Sequence, residues 1–341
     1  YKPGSLKAQL SVKGIREMIA FAKSNNIPHD VCGKVVVATS EKEEKSLGIL
    51  AERGEKNGLK GLKYLSSEEL KKREPFVRSK KALLVPEEGI IDYKSVMRKL
   101  VEKIKENGGS IYYSCPVKSI IKNNNKSIHI NTEKYENTFD YVISCTGLWS
   151  DRNYANLTNE KSPLKIIPFR GEYLKFRQGY EEFVNHLIYP VPDDNFPFLG
   201  VHFTRMIDGS REVGPNAVLA LKRDGYNWNS FSFKDAFESL TYSGLIRFVT
   251  NNLIFSINEF RSSLFIRDFI AKAKKMIPDI DDFMLERGTA GVRAQALSPK
   301  GELQMDFNVI KTDRQIHVLN APSPGATASL SIADYIIQTY L

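Results

Sequence analysis

At Pro163 the sequence changes texture, and that break constrains the fold more than any other feature. Ahead of it, short β-branched strands alternate with helical stretches. Beyond it come longer strands with aromatic residues and prolines: PFRGEYLKF, HLIYPVP, PFLGVHFT and REVGPNAVLAL. Such strands separated by turns read as an antiparallel sheet, whereas strand and helix in alternation read as a nucleotide-binding α/β region. At 341 residues the chain exceeds the size at which one core keeps growing, so two bodies are expected. The expected class is α/β with an α+β portion, a mixed and largely antiparallel sheet inserted at 161–284 into a Rossmann-like region.

The first part reads as helix, strand, helix, helix. Ser5 opens a helical pattern that places Ile15, Met18, Ile19 and Ala22 on one face and ends near Asn25 and Asn26. GKVVVATS (33–40) is a buried strand, and Ser66 with Glu69 forms a capping box for a helix that Pro75 stops. Asp92 caps a helix with Val96, Leu100, Val101 and Ile104 as its buried stripe and Asn107-Gly108-Gly109 as its end. A strand at Ser110–Ser114, a hairpin of Val117–Ile121 with Ser127–Ile130 across KNNNK, and the strand YVIS (141–144) follow. Helical patterns return between Phe233 and Ile277, and a strand near Ile316–Leu319 leads through NAPSPGATAS to a closing helix.

The net charge of +9 comes largely from lysines on helix faces, where solvation explains most of it and attraction to anionic substrates or lipid headgroups the rest. The sequence carries no arginine-rich block and no interleaving of aromatic with basic residues, so nucleic acid is not an expected partner. Cys32, Cys115 and Cys145 lack metal-ligand spacing, so reduced thiols are expected and no metal site is suggested. No apolar run approaches the ~20 residues that span a bilayer, and no signal peptide opens the sequence. The expected location is cytoplasmic, with a peripheral contact at the inner face of the membrane left open.

Three segments carry chemistry. YVIS running into Thr146-Gly147 and a helix start at Ser150-Asp151 is the geometry that lets backbone N–H groups approach a phosphate or a flavin, or else an ordinary turn. In NAPSPGATAS, prolines stiffen a loop whose small residues at a helix N-terminus admit a ligand or a close helix contact. AGVRAQ (290–295) sets Arg293 among Gly, Ala and Val with no acidic neighbour, and a guanidinium is the donor fork that recognises a carboxylate. His202, beside Thr204 and Arg205, suits a general base better than His186, and each could equally be a satisfied strand residue. Arg170 in PFRGEY reads equally as a strand-end arginine.

Taken together, PFRGEYLKF, NHLIYPVPDDNFPFLGVHFTRMIDGS, VGPNAVLALKRDGY, AGVRAQALSPKG and NAPSPGATAS resemble the L-2-hydroxyglutarate dehydrogenase/oxidase group of the D-amino-acid-oxidase-like flavoproteins. The resemblance runs from YKPGSLKAQL to the C-terminus. It implies an FAD enzyme that oxidises L-2-hydroxyglutarate, a dicarboxylate, to 2-oxoglutarate by hydride transfer to flavin and passes the electrons to a membrane quinone or to oxygen. It implies an FAD-binding domain of residues 1–30, 88–160 and 285–341 and a substrate domain of 31–87 and 161–284. By the same resemblance FAD contacts fall on the Val117 backbone, Thr146, Gly147 and the loop holding Ser323, Gly325, Ala326, Thr327 and Ala328. Arg293 holds the α-carboxylate, His202 is the base, and Arg205, Thr204 and Arg170 are candidates for the distal carboxylate. The sequence contains no G-x-G-x-x-G turn, so the expected nucleotide fold is incomplete and the chain truncated by one βαβ unit, about 30 residues or more.

Two competing readings accompany this one. A flavoenzyme of the same fold could act on glycerol 3-phosphate or an amino acid. A truncated fragment could be a non-catalytic basic module, in which case it would bind no flavin.

Overall fold

The computed structural model describes residues 1–123, 127–192, 200–253, 261 and 266–341. Its strands are β1 (His29–Asp30), β2 (Lys34–Ala38), β3 (Lys63–Ser66), β4 (Lys81–Val85), β5 (Ile90–Ile91), β6 (Val117–Asn123), β7 (Ser127–Thr132), β8 (Glu136–Phe139) and β9 (Val142–Ser144) in the first part. Beyond Pro163 come β10 (Lys165–Phe176), β11 (Leu187–Pro190), β12 (His202–Arg205), β13 (Arg211–Gly214), β14 (Val218–Leu219), β15 (Leu285–Leu297), β16 (Asn308–Thr312) and β17 (Gln315–Asn320).

The largest sheet has nine strands in the order β14-β10-β13-β12-β11-β2-β4-β3, with β15 also paired to β10. Only the β11–β2 contact is parallel, so the sheet is mixed and largely antiparallel, as the texture beyond Pro163 implies. Alternation along each strand gives it two unlike faces. Val35, Val37, Leu174, Ile188, Phe203 and Val213 point to one side, where Phe269, Ile270 and Ala273 of the helix Ile266–Lys274 complete a buried core. The other side carries the polar residues described below.

A second, three-stranded sheet, β16-β17-β9, has β17 parallel to β9. Ile316 and Val318 of β17 pack on Ile336 of the helix Ser329–Tyr340, and Leu319 packs on Tyr154 of the helix Ser150–Thr158. The helix Leu6–Ser24 begins at the expected cap, Ser5, and crosses the Ser329–Tyr340 helix at Gly14. A Cβ on Gly14 would stand 2.6 Å from the Ala328 backbone and 2.8 Å from Ser331 Oγ. Backbone cannot yield as a flexible side chain does, so Gly14→Ala is expected to cost about 1–3 kcal/mol of stability, read as a lower midpoint in denaturant unfolding.

The capping box at Ser66 and Glu69 and the cap at Asp92 form as expected. Several expectations need correction. The helix Tyr93–Glu106 buries only Val96, and Ile104 is exposed. Ser110–Ser114 is not a strand, because Ser114 adopts φ 50° and turns the chain. β3 and β4 were not anticipated: β3 buries only Leu65 among polar neighbours, which leaves little periodic signal. The hairpin β6–β7 forms, with an additional strand β8, while residues 124–126 of its KNNNK turn lie outside the described residues. Residues 197–199 of PFLGVHFT lie outside them too.

Candidate active site

Strand register assembles the polar face from distant segments. Lys34 of β2 stands opposite Leu187 of β11, and Leu187 stands opposite Thr204 of β12, which puts Lys34, Tyr189, His202 and Thr204 on one side of the sheet. His202 pairs with Gly214, whose neighbour on β10 is Tyr173, and β10 carries β15 with Arg293 opposite Phe169. Phe169, Gly171 and Tyr173 alternate onto this same side. Five strands therefore deliver Lys34, Tyr189, His202, Thr204, Tyr173 and Arg293 to a single surface.

His202 is buried at 7% exposure and stacks on Tyr189, with ring centroids 4.1 Å apart and planes 17° apart. Its Nδ1 lies 3.0 Å from the Gly200 carbonyl oxygen. A carbonyl only accepts, so Nδ1 carries the hydrogen and Nε2 keeps its lone pair. Burial pushes the imidazole down to a pKa of about 4, and the nearby cations Arg293 and Lys34 push the same way. At neutral pH this is an uncharged ring able to take up a proton.

Arg293 is half-buried, and its guanidinium comes close enough to the Tyr173 phenol across the β10–β15 pair to act on its ionisation. The sequence offers no local partner for this cation, and the fold supplies a phenol from another strand. Burial raises the Tyr173 phenol above its usual value while Arg293 pulls it down. Tyr189 is also raised by burial, with Thr204 beside it pulling the other way. Lys34 lies over the Tyr189 ring, 5.1 Å from its centroid, and holds Glu88 at 2.7 Å.

Two expected substrate ligands are placed elsewhere. Arg205 is three residues from His202, so strand alternation turns it to the opposite side, where it pairs with Asp30. Arg170 pairs with Val292 and Val218, also on the reverse side. It is 4% exposed, bonded to Glu172 at 3.2 Å and to the Asn227 carbonyl at 3.0 Å, and it lies 4.4 Å from the Trp228 ring centroid. Beside it lies a cavity of about 490 Å³ lined by Glu172, Asn216, Trp228 and Arg287. Glu172 neutralises the Arg170 charge there. Thr204 alone of the three stays beside His202.

The residues expected to touch FAD surround the second sheet. After β9, Gly147 takes φ +51° with open space where a Cβ would be, and Thr146 Oγ1 is buried without a hydrogen-bond partner. An orphaned buried hydroxyl beside a bare glycine fits a polar ligand that passes close to the backbone. Gly291, two residues before Arg293 on the same side, also faces open space. The loop with Ser323, Gly325 and Ala326 enters the helix Ser329–Tyr340, whose start has no side-chain cap. Ala328 is fully buried against Gly14, and Thr327 Oγ1 meets the Tyr93 hydroxyl at 2.6 Å. Val117 is exposed at the head of β6. His186, the histidine passed over, is bonded to the fully buried Glu74 at 2.8 Å, away from this face.

Lys34, Tyr173 and Tyr189 were not anticipated. Each follows period two along its strand, and each reaches His202 or Arg293 only through pairings between strands far apart in sequence.

The chain is similar to FAD-dependent enzymes in sequence and in fold. The family profile described as FAD dependent oxidoreductase matches residues 1–339. An L-2-hydroxyglutarate dehydrogenase of Indibacter alkaliphilus is 44% identical over 99% of this chain and 84% of its own length. The Escherichia coli K12 protein of that name is 42% identical over 99% and 80%, and the human mitochondrial one is 39% identical over 98% and 76%. Among solved structures, the FAD-bound L-alpha-glycerophosphate oxidase of Mycoplasma pneumoniae superposes with a TM-score of 0.75 at 21% identity, over 99% of this chain and 80% of that one. Glycine oxidase of Geobacillus kaustophilus gives 0.70 at 15%, over 100% and 82%. At those identities the likeness establishes the fold alone. The chain belongs to the FAD-dependent oxidoreductase family, in its L-2-hydroxyglutarate dehydrogenase group.

Proposed function

We propose that this FAD-dependent oxidoreductase oxidises L-2-hydroxyglutarate to 2-oxoglutarate on the sheet face that carries His202 and Arg293. The observation behind this reading is a buried, uncharged imidazole with its acceptor nitrogen available, close enough to an arginine to feel its charge. Arg293 binds the α-carboxylate as a two-pronged donor while the Tyr173 hydroxyl holds the guanidinium in place. His202 Nε2 takes the proton of the 2-hydroxyl, and the stacked Tyr189 ring keeps the imidazole in plane. FAD, when bound, would supply the two-electron oxidising capacity that accepts a hydride equivalent from the α-carbon. The substrate also tunes its own base. Its carboxylates screen the cations that depress His202, so the imidazole gains proton affinity when the hydroxyl arrives.

Thr146, Gly147, the Val117 backbone and the loop of Ser323, Gly325, Ala326, Thr327 and Ala328 hold FAD in this account. Residues 1–30, 88–160 and 285–341 form the FAD-binding domain and 31–87 with 161–284 the substrate domain. The sheet that joins β2, β3 and β4 to β10 through β14 supports that division, with β15 paired into the substrate side. The reading is tested by assaying the FAD-loaded protein with an artificial electron acceptor on L- and D-2-hydroxyglutarate, glycerol 3-phosphate and amino acids. Turnover confined to the L-hydroxy acid supports it, and preference for a phosphate ester or an amine overturns it.

The electrons pass to a quinone at a membrane surface. What supports this is an amphipathic helix built inside out. Phe233–Leu240 turns Asp235 and Ser239 inward, and Asp235 is bonded to Arg152 at 2.5 Å. The Asp235 carboxylate also accepts the Arg223 backbone N–H, and Arg223 is itself held in a buried bidentate pair with Asp151. Phe233, Phe237 and Leu240 then point outward at 79%, 62% and 54% exposure, beside Phe231 and the exposed Lys234. Globular helices bury their apolar face, whereas aromatic residues with a flanking lysine suit an anionic bilayer surface. Among the described residues no helix is long and apolar enough to cross a membrane. Phe233→Asp with Phe237→Asp is expected to weaken co-sedimentation with anionic phospholipid vesicles at least about tenfold. Unchanged partitioning would remove the support for this location.

A further inference from the structure

Arg205 and Arg170 lie on the wrong side of the sheet to meet a second carboxylate, yet the proposed substrate carries two. We propose that Lys34, at the head of β2, is the distal-carboxylate anchor that makes this site selective for a 2-hydroxy dicarboxylate. The inference rests on the functional reading above and adds its specificity determinant.

Three observations carry it. Lys34 shares the polar face with His202 by strand register, through Leu187 and Thr204. It is one of the two cations whose charge is felt at His202, and Arg293 is the other. The two reach His202 from opposite directions along the row of strands, Lys34 from β2 across β11 and Arg293 from β15 across β10 and β13. The base therefore lies between them. In a five-carbon dicarboxylate the carboxyl carbons stand roughly 5 Å apart when extended, and the hydroxyl-bearing carbon adjoins one of them. With that carboxylate on Arg293, the hydroxyl is next to His202 and the chain leads on toward Lys34.

The ammonium is also set up for the task. Its side chain is 20% exposed, so it is partly screened from water and still reachable. Glu88 holds it at 2.7 Å and Tyr189 lies beneath it, which orders a flexible side chain before any ligand arrives. A lysine has three N–H donors and Glu88 occupies one, leaving donors for a second carboxylate. Glu88 is the positioning residue in this arrangement, and its charge keeps the unliganded ammonium from being an unpaired buried cation.

The test compares glutarate with pentanoate, which has the same chain length and one carboxylate fewer. Calorimetric binding is measured on the FAD-loaded protein and on the Lys34→Met and Lys34→Arg variants. The wild type is expected to bind glutarate more tightly than pentanoate by about 10- to 100-fold, the range for charge-assisted hydrogen bonds to one carboxylate. Lys34→Met is expected to lose that difference while pentanoate affinity holds, and Lys34→Arg, which keeps the charge, to retain most of it. In steady-state assays the rise in KM for L-2-hydroxyglutarate should exceed any fall in kcat. A Lys34→Met protein that still prefers glutarate by the wild-type factor would overturn the assignment and leave the dicarboxylate reading intact. Equal losses for both acids would also overturn it, by showing a merely structural role. A wild type with no preference for glutarate, and no turnover of L-2-hydroxyglutarate, would overturn both.

Discussion

Arg293→Met is expected to lower kcat/KM for L-2-hydroxyglutarate by about 10²- to 10⁴-fold, because two charge-assisted hydrogen bonds to the α-carboxylate vanish together. Methionine roughly preserves the apolar stem, and Arg293 stands on a strand whose fold depends on the β10–β15 ladder rather than on this side chain. Flavin content and the unfolding midpoint should therefore change little. Arg293→Lys keeps the charge but loses the planar fork, so it should recover only part of the rate. Tyr173→Phe removes the phenol beside the guanidinium, and should cost less than either. Arg293 then has to act on both substrate binding and orientation, so kcat should fall along with the rise in KM. A loss confined to flavin content would place Arg293 in cofactor retention instead.

His202→Gln is expected to reduce kcat by about 10²- to 10⁴-fold, the usual contribution of a positioned base. The pH dependence distinguishes this role from a structural one. In the free protein His202 titrates at about 4, so the acid limb of kcat/KM should fall there and not near the ordinary histidine value. Substrate carboxylates raise the imidazole, so the acid limb of kcat should lie at higher pH than that of kcat/KM. His202→Gln should lose both limbs. Stability carries the same signature. The folded value lies below the unfolded one, so the contribution is fully present above about pH 6.5 and is lost as pH falls through about 4. That amounts to about 3 kcal/mol, and the glutamine variant should lack this component of acid destabilisation. An unchanged kcat in His202→Gln would assign the proton to another group.

The two residues on which these predictions rest were legible in the sequence for local reasons. Arg293 stands out because AGVRAQ contains no charge to balance it, and His202 because its strand pairs it with Thr204 at the two-residue spacing. The same spacing argues against Arg205, since an odd offset from His202 on one strand means the opposite side. Arg170 is placed on the reverse side for a reason that no local pattern holds. Its side is decided by register with Val292 and Val218, and β15 lies more than a hundred residues further along the chain. Lys34 was hidden in the same way. In CGKVVV it reads as the polar start of a buried strand, and only the parallel pairing of β2 with β11 brings it toward His202.

Legibility of the fold followed the same division. Capped helices announce themselves through side chains a few residues apart, as at Ser5, Ser66 and Asp92. β3 buries only Leu65 and gave little notice, and β4, KALLV, is a short apolar run that periodicity alone does not assign to strand or helix. The helix Tyr93–Glu106 has a clean apolar stripe by sequence, yet Ile104 stays exposed. Periodicity states which residues could share a side, and packing decides which side is covered. The helix Phe233–Leu240 is the strongest case, since Asp235 and Ser239 face inward and its phenylalanines outward.

The most direct test of the central claim is an anaerobic titration of the FAD-loaded protein, following the visible flavin absorbance as L- or D-2-hydroxyglutarate is added. The account predicts bleaching by the L enantiomer, with little effect from the D enantiomer, and much slower bleaching in Arg293→Met and His202→Gln. A flavin that stays oxidised under excess L-2-hydroxyglutarate, or that bleaches equally with both enantiomers, would contradict it.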